Sequence, residues 1–238
     1  ARSFWSNLSK AIIEVESLEA AEMVKLINNT FRDVSFAFAN ELALKCNSYN
    51  INAFTLISAA NDGYPRNKIP SPSPGVGGFC LTKDPFLYGC EPLKKSSNMT
   101  LGDYGRAAND KAARYVFHVL DKFSKKINLP CKKMSVLIIG LAFKGDPDTT
   151  DIRGSVAVDI ANELINKINK LYVWDAVIKQ EYKFIPRLLS DNELEEIIKV
   201  VDVVLILNNH RRNSDINGYL ISDKKKLIFD GWNQLDQA

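Results

Sequence analysis

The sequence predicts an α/β protein in two parts: a helical unit followed by a Rossmann-like parallel α/β domain. Three observations carry that expectation. The first is a run from Ser17 to about Ile57 that is rich in Ala, Leu, Glu, Lys and Phe and contains no Gly or Pro. The second is a change of period near residue 134, where helical spacing gives way to near-continuous apolar runs. The third is the alternation of strand and helix signals that follows, the pattern of parallel strands with right-handed crossovers. A length of 238 residues with 46% hydrophobic and 25% charged residues suits one large domain or two small ones and excludes general disorder.

Taken in order, Ala20, Met23, Val24, Ile27, Phe31, Val34, Phe38 and Leu42 recur at helical spacing. Ser17 suits the start, and Asn47 to Asn52 suits an interruption. Asn61 to Phe79 holds four prolines and four glycines and reads as loop. A second helix is expected over about Gly102–Lys126, burying Ala107, Ala108, Ala112, Tyr115, Val116, Val119, Leu120 and Phe123. The segment Asn128–Lys133 divides the halves, giving 1–127 as the central helical domain and 128–238 as the C-terminal domain. Met134–Ala142 reads as a strand buried on both faces. Ser155–Ile168 reads as helix, Lys170–Trp174 as strand, Asn192–Lys199 as helix, and Val201–Leu207 and Lys226–Asp230 as strands.

Several functional classes are set aside. The charge of +3 comes from scattered lysines, including the 94–95, 125–126 and 132–133 pairs and the triple at 224–226, so no nucleic-acid partner is expected. The longest apolar stretch, Val136–Phe143, is far short of the ~18 residues that span a bilayer, so neither is a membrane. No signal-peptide pattern is visible. Cys46, Cys80, Cys90 and Cys131 form no CxxC pair, and His is only 2, which argues against a zinc site and a disulfide framework. Free thiols suit a reducing cytoplasm.

Chemistry concentrates in three places. In SPGVGGFCLTKDP, Gly75, Gly77 and Gly78 let the backbone approach a ligand, and Cys80 follows directly. Asp84-Pro85 reads as an N-cap and first helical residue, so Cys80 faces a helix start with Lys83 nearby, a setting that favours a thiolate. On the first helix Lys25 and Asn29 are four apart, on one face, where an ammonium and an amide can hold an oxyanion; an exposed helix face is the blander alternative. GLAFKGDPDTTDIRGS, Gly140–Ser155, joins the strongest strand to the next helix and carries Lys144 and Arg153 at the ligand-binding edge of an α/β sheet. It has no GxGxxG, so a dinucleotide site of the usual kind is not indicated.

Together, and in order, these segments resemble the nucleotide-sugar dehydrogenases, the UDP-glucose/GDP-mannose dehydrogenase family. LEAAEMVKLINNTFRDVSFAFANELA resembles the start of its central helical domain, GVGGFCLTKDP its GxGGxCxxKD motif, and GLAFKGDPDTTDIRGSVAVDIANELI its GLAFKxxTDDxRxSPA motif. Family members begin with an NAD-binding domain carrying GxGxxG. This chain resembles the part that follows it.

The resemblance implies oxidation of a UDP-sugar C6 alcohol to a carboxylate with two NAD. It implies Cys80 as the nucleophile, Lys25 and Asn29 as oxyanion and water ligands, and Asp84 as their support. Lys144 and Phe143 match the family's substrate-binding FK pair, with Gly75, Gly77 and Gly78 lining the sugar and phosphate pocket. Arg153 and Lys83 match cofactor contacts, and Arg66 an arginine that crosses a dimer interface to substrate. A homodimer through the central helix is implied too. Residues 24–42 and the PSPGVGG loop lean toward enzymes of UDP-N-acetylhexosamines, the UDP-N-acetylmannosamine type. Two other readings stand: a UDP-binding or dimerisation module without activity of its own, and a central domain of the 3-hydroxyacid or 6-phosphogluconate dehydrogenase type. The latter needs neither the Cys loop nor residues 134–238.

Overall fold

The computed structural model describes residues 2–66, 68–90, 99–185, 187–220 and 225–235. Lys94, Lys95 and Lys224 lie outside the described residues. A short helix α1 (Arg2–Trp5) precedes the long α2 (Leu18–Ser48). Helix α2 starts where the Ser17 hydroxyl accepts the Ala20 N–H at 3.1 Å. It stops at Tyr49, and left-handed Asn50 makes the corner into α3 (Ala53–Asn61), capped by Asn52. The five-residue α4 (Asp84–Tyr88) leads to α5 (Leu101–Ile127), which a Thr100/Asp103 capping box opens and left-handed Asn128 closes.

The face α2 turns to α5 is small and polar: Asn29, Asp33, Ala37 and Asn40 are buried. The apolar residues Met23, Val24, Ile27, Phe31 and Phe38 lie exposed on the outer side. On α5 the buried stripe is Gly102, Gly105, Arg106, Asn109, Ala112, Val116 and Leu120. Ala107, expected inside, is exposed, and Ala108, Tyr115, Val119 and Phe123 are only half-buried. The stripe is rotated because the first half of α5 meets a polar partner face.

After a 3-10 turn (Cys131–Lys133), four strands alternate with helices: β1 (Ser135–Ile139), α6 (Val156–Leu164), β2 (Lys170–Trp174), α7 (Asp191–Val200), β3 (Val203–Ile206) and, beyond a 3-10 segment (Arg211–Tyr219), β4 (Leu227–Asp230). All pairings are parallel in the order β2-β1-β3-β4, with Leu137 opposite Tyr172 and Val204. Alternation sends Val136 and Ile138 to one face, against Ala157, Ile160 and Leu164, and Leu137 and Ile139 to the other, against Leu194, Ile198 and Ile216. Val116 and Leu120 join the first face, so α5 contributes its first half to α2 and its second half to the sheet core. Strand β1 is shorter than expected: the Leu141 and Ala142 N–H groups turn to the buried Asp175 carboxylate at 2.7 and 3.1 Å. Among the described residues no helix is long and apolar enough to cross a membrane.

Candidate functional site

The Gly-rich loop lies where the helical half meets the sheet half. Its backbone docks on the loop after β1: Gly78 N–H donates to the Gly154 carbonyl at 2.9 Å. A Cβ on Gly77 would stand 2.4 Å from that same oxygen, and one on Gly78, at φ +94°, would stand 2.9 Å from the Phe143 ring. Both close approaches require glycine. Gly75 packs elsewhere, against Ala113 and Val156.

Cys80 is exposed at the turn that follows. Its carbonyl accepts the Lys83 and Asp84 N–H groups at 3.3 and 2.9 Å, and Thr82 Oγ1 donates back to the Gly78 carbonyl at 3.0 Å. Asp84 is not the N-cap that the sequence suggested. Lys83 occupies that position without a side-chain cap, and Asp84 is the first helical residue. Its carboxylate, 2% exposed, is turned away from the helix end: it accepts from the buried Asn29 amide and, at 2.5 Å, from Lys83 Nζ. Burial pushes the Asp84 carboxyl up. The hydrogen bonds from Lys83 and Asn29 and the charges of Lys83 and Lys25 outweigh it and hold the group below its ordinary value. Lys25 is exposed and reaches Asp84 only through its charge. The pair foreseen on one helix face is thus split into a buried amide and an exposed ammonium.

Phe79, beside the cysteine, has Lys83 Nζ 5.5 Å from its ring centroid on the helical side and the Arg153 guanidinium 5.6 Å away from the sheet side. Hydrogen bonds to Asp84 and Asp151 raise the proton affinities of Lys83 and Arg153 respectively, and the charge of Cys80 adds a smaller push to each, which puts its sulfur near both cations. Arg153 is paired with Asp151 at 2.7 Å, and that pairing holds the Asp151 carboxyl down to about 2. Lys144 Nζ sits 5.6 Å from the Phe143 centroid. The structure therefore gathers Cys80, Asn29, Asp84, Lys83, Gly77, Gly78, Phe143, Lys144 and Arg153 around one junction. Arg66 is not joined to them: it is exposed after α3, and no hydrogen bond, ion pair or ring contact among the described residues links it to the rest.

Beneath the loop is a buried polar network that sequence reading missed. Arg106, 3% exposed, donates to Asp33 at 2.5 Å and to the carbonyls of Val76 and Leu81 at 3.2 and 3.3 Å. Asn109 donates to Asp33 and accepts from Asn40, whose oxygen takes the Ser73 N–H. Burial pushes the Asp33 carboxyl up to about 6 against Arg106 and Asn109, consistent with its Oδ2 lacking a hydrogen-bond partner among the described residues. The available signal was phase: Arg106 and Asn109 stand in line with Val116 and Leu120, and Asp33 one turn beyond Asn29.

Comparison with known proteins places this junction in context. Residues 19–110 match the UDP-glucose/GDP-mannose dehydrogenase family, central domain, and residues 137–237 match the UDP binding domain of the same family. The chain belongs to that family. It is 31% identical over 237 residues to a UDP-N-acetyl-D-mannosamine dehydrogenase of Pyrococcus horikoshii, covering 98% of this chain and 53% of the relative. It is 35% identical over 227 residues to the Escherichia coli K12 enzyme of the same name, covering 90% of this chain and 51% of the relative. A solved UDP-D-ManNAc dehydrogenase from Pyrococcus horikoshii superposes with a TM-score of 0.82 at 28% identity, over 100% of this chain and 54% of that one. The chain spans about half the length of the curated relatives it matches. The two family models fall on the chain in the order that the resemblance implies.

Proposed function

We propose that this chain carries the substrate-binding and nucleophile parts of an NAD-dependent 6-dehydrogenase that converts a UDP-N-acetylhexosamine to its uronic acid. Its working division is 1–127 as central domain and 128–238 as UDP-sugar domain, and its working state is a homodimer. The observation that carries the reading is the exposed Cys80 beside the buried Asn29–Asp84 pair, on a loop seated against Phe143 and Gly154.

The residues take complementary parts. Lys144, Phe143, Gly77 and Gly78 bind the UDP-sugar, with Arg66 reaching a neighbouring subunit's substrate. The C6 alcohol would first lose a proton and a hydride to give the aldehyde; Cys80 sulfur then adds to the aldehyde carbon, and the oxygen that becomes negative is held by Lys25 and the Asn29 amide. Loss of hydride from that carbon leaves a thioester on Cys80. Water adds to it, the C–S bond breaks, and the carboxylate and thiol separate. Asp84 stays ionised and so acts as an acceptor that aims Asn29 rather than as an acid. Lys83 and Arg153 form a positive rim around Phe79 suited to a pyrophosphate, so they fit a dinucleotide. NAD, when bound, supplies the hydride acceptor. The β1 turn offers no second dinucleotide cradle, because Asp175 already takes its Leu141 and Ala142 amides. The chain alone is therefore expected to bind a UDP-sugar without releasing NADH.

The test is four single Cys→Ser variants of the enzyme bearing this chain, assayed for NADH release and UDP-sugar affinity. Cys80→Ser should cost on the order of a thousandfold or more in turnover, about 4 kcal/mol of barrier, with affinity retained. Cys46, Cys90 and Cys131 should be replaceable. Wild-type turnover in Cys80→Ser would refute the reading.

A further inference from the structure

Resting on the reading of Cys80 as nucleophile, we propose that Arg106, anchored by Asp33, is the positioning residue that fixes the Cys80 loop against the Asn29–Asp84 pair. Arg106 reaches neither the thiol nor the exposed rim. Its two terminal nitrogens grip the loop from below, at the Val76 carbonyl four residues before Cys80 and the Leu81 carbonyl one residue after it. The same guanidinium is tied to Asp33, which is 0% exposed, and to the exposed Asp110 at 3.0 Å.

Asp33 sits on α2 one turn from Asn29, which sits one turn from Lys25. A single helical stripe thus carries the exposed ammonium and the buried amide and, through Asp33, holds the loop that bears the sulfur. This rigid link sets the spacing between Cys80 and its neighbours. A planar guanidinium suits the task because it can serve a carboxylate and two carbonyls at once. An ammonium can neutralise Asp33 but cannot bridge the loop in the same geometry.

The consequence is measurable without turnover. With the loop fixed, the Cys80 thiolate lies in the field of Lys83 and Arg153, so anionic iodoacetate is favoured relative to neutral iodoacetamide. The experiment measures the iodoacetate to iodoacetamide rate ratio at each cysteine by peptide mapping of this chain, in wild type, Arg106→Lys and Asp33→Asn. In Arg106→Lys the ratio at Cys80 should fall at least about threefold while that at Cys90 stays unchanged. A purely structural role in balancing the buried carboxylate would be rescued by lysine, so a folded Arg106→Lys protein with the wild-type ratio overturns the proposal. If Arg106→Lys does not fold, the isosteric Asp33→Asn decides: a lowered Cys80 ratio supports the positioning role, and an unchanged ratio overturns it. Neither result depends on whether Cys80→Ser keeps its turnover, so failure here is separable from failure of the nucleophile reading.

Discussion

At the scale of single residues, the site is built on close approaches that admit no side chain. Gly78 combines a left-handed φ of +94° with a Phe143 ring that would stand 2.9 Å from any Cβ, whereas exposed Gly63, at φ +64°, has open space around it. Gly63→Ala should therefore cost only backbone strain, about 1 kcal/mol. Gly78→Ala should cost about 3 kcal/mol, as crowding adds to the strain. Urea unfolding midpoints of the two variants check the difference, and equal losses would mean that the loop does not seat on Phe143 in solution. The glycines and Cys80 could be singled out in the sequence because a Gly-rich run, a lone cysteine and a helix start follow one another in a segment that resembles a family motif. Asp33, Arg106 and Asn109 could not, because a charged or amide residue in a helix normally faces water, and only burial against a second polar stripe reverses that.

Elements show a similar division. The strands and their order of appearance could be read from apolar runs, since a parallel strand covered on both faces has no alternation to confuse. Their ends could not: the Gly140 amide still donates to the Trp174 carbonyl, but just beyond it Asp175, distant in sequence, captures the Leu141 and Ala142 amides. The start of α7 is likewise a side-chain matter, and it yields a pH prediction. The Glu193 carboxylate accepts the Ser190 N–H at 2.9 Å and the Ser190 hydroxyl at 2.8 Å, and pairs with Arg187 at 2.8 Å. The backbone hydrogen bond from Ser190, then the side-chain bonds from Arg187 and Ser190, hold its pKa down to about 2 from 4.5. A depressed carboxyl stabilises the fold above its unfolded pKa, and that contribution disappears as pH falls through the folded value. Glu193→Gln should thus unfold at lower urea than wild type at neutral pH, and the gap should close between about pH 4.5 and pH 2. A gap that persists at pH 2 would assign the effect to shape rather than charge.

For the whole molecule, surface area is the informative quantity. The accessible surface is 15062 Å², whereas a compact monomer of 26.7 kDa would expose about 10,700 Å². Part of the excess is the outer face of α2, where Phe31 is 73% and Phe38 58% exposed, in line with Met23, Val24 and Ile27. The sequence already marked this face as apolar at helical spacing. What it could not tell was that α2 packs on α5 with its polar side, because that choice depends on Asp33 meeting Arg106 across the interface. An apolar stripe of this length along a 31-residue helix suits a copy of itself across a two-fold axis, since each helix then covers the other with the same residues. The expected state is a homodimer burying more than about 1,000 Å² in total. Sedimentation of the wild type should give a dimer. Phe31→Glu should shift it to monomer while leaving the far-ultraviolet circular dichroism intact, because the ring touches no core of its own chain. A wild-type protein that sediments as a monomer at every concentration tested would refute the dimer and leave the apolar face of α2 to another partner.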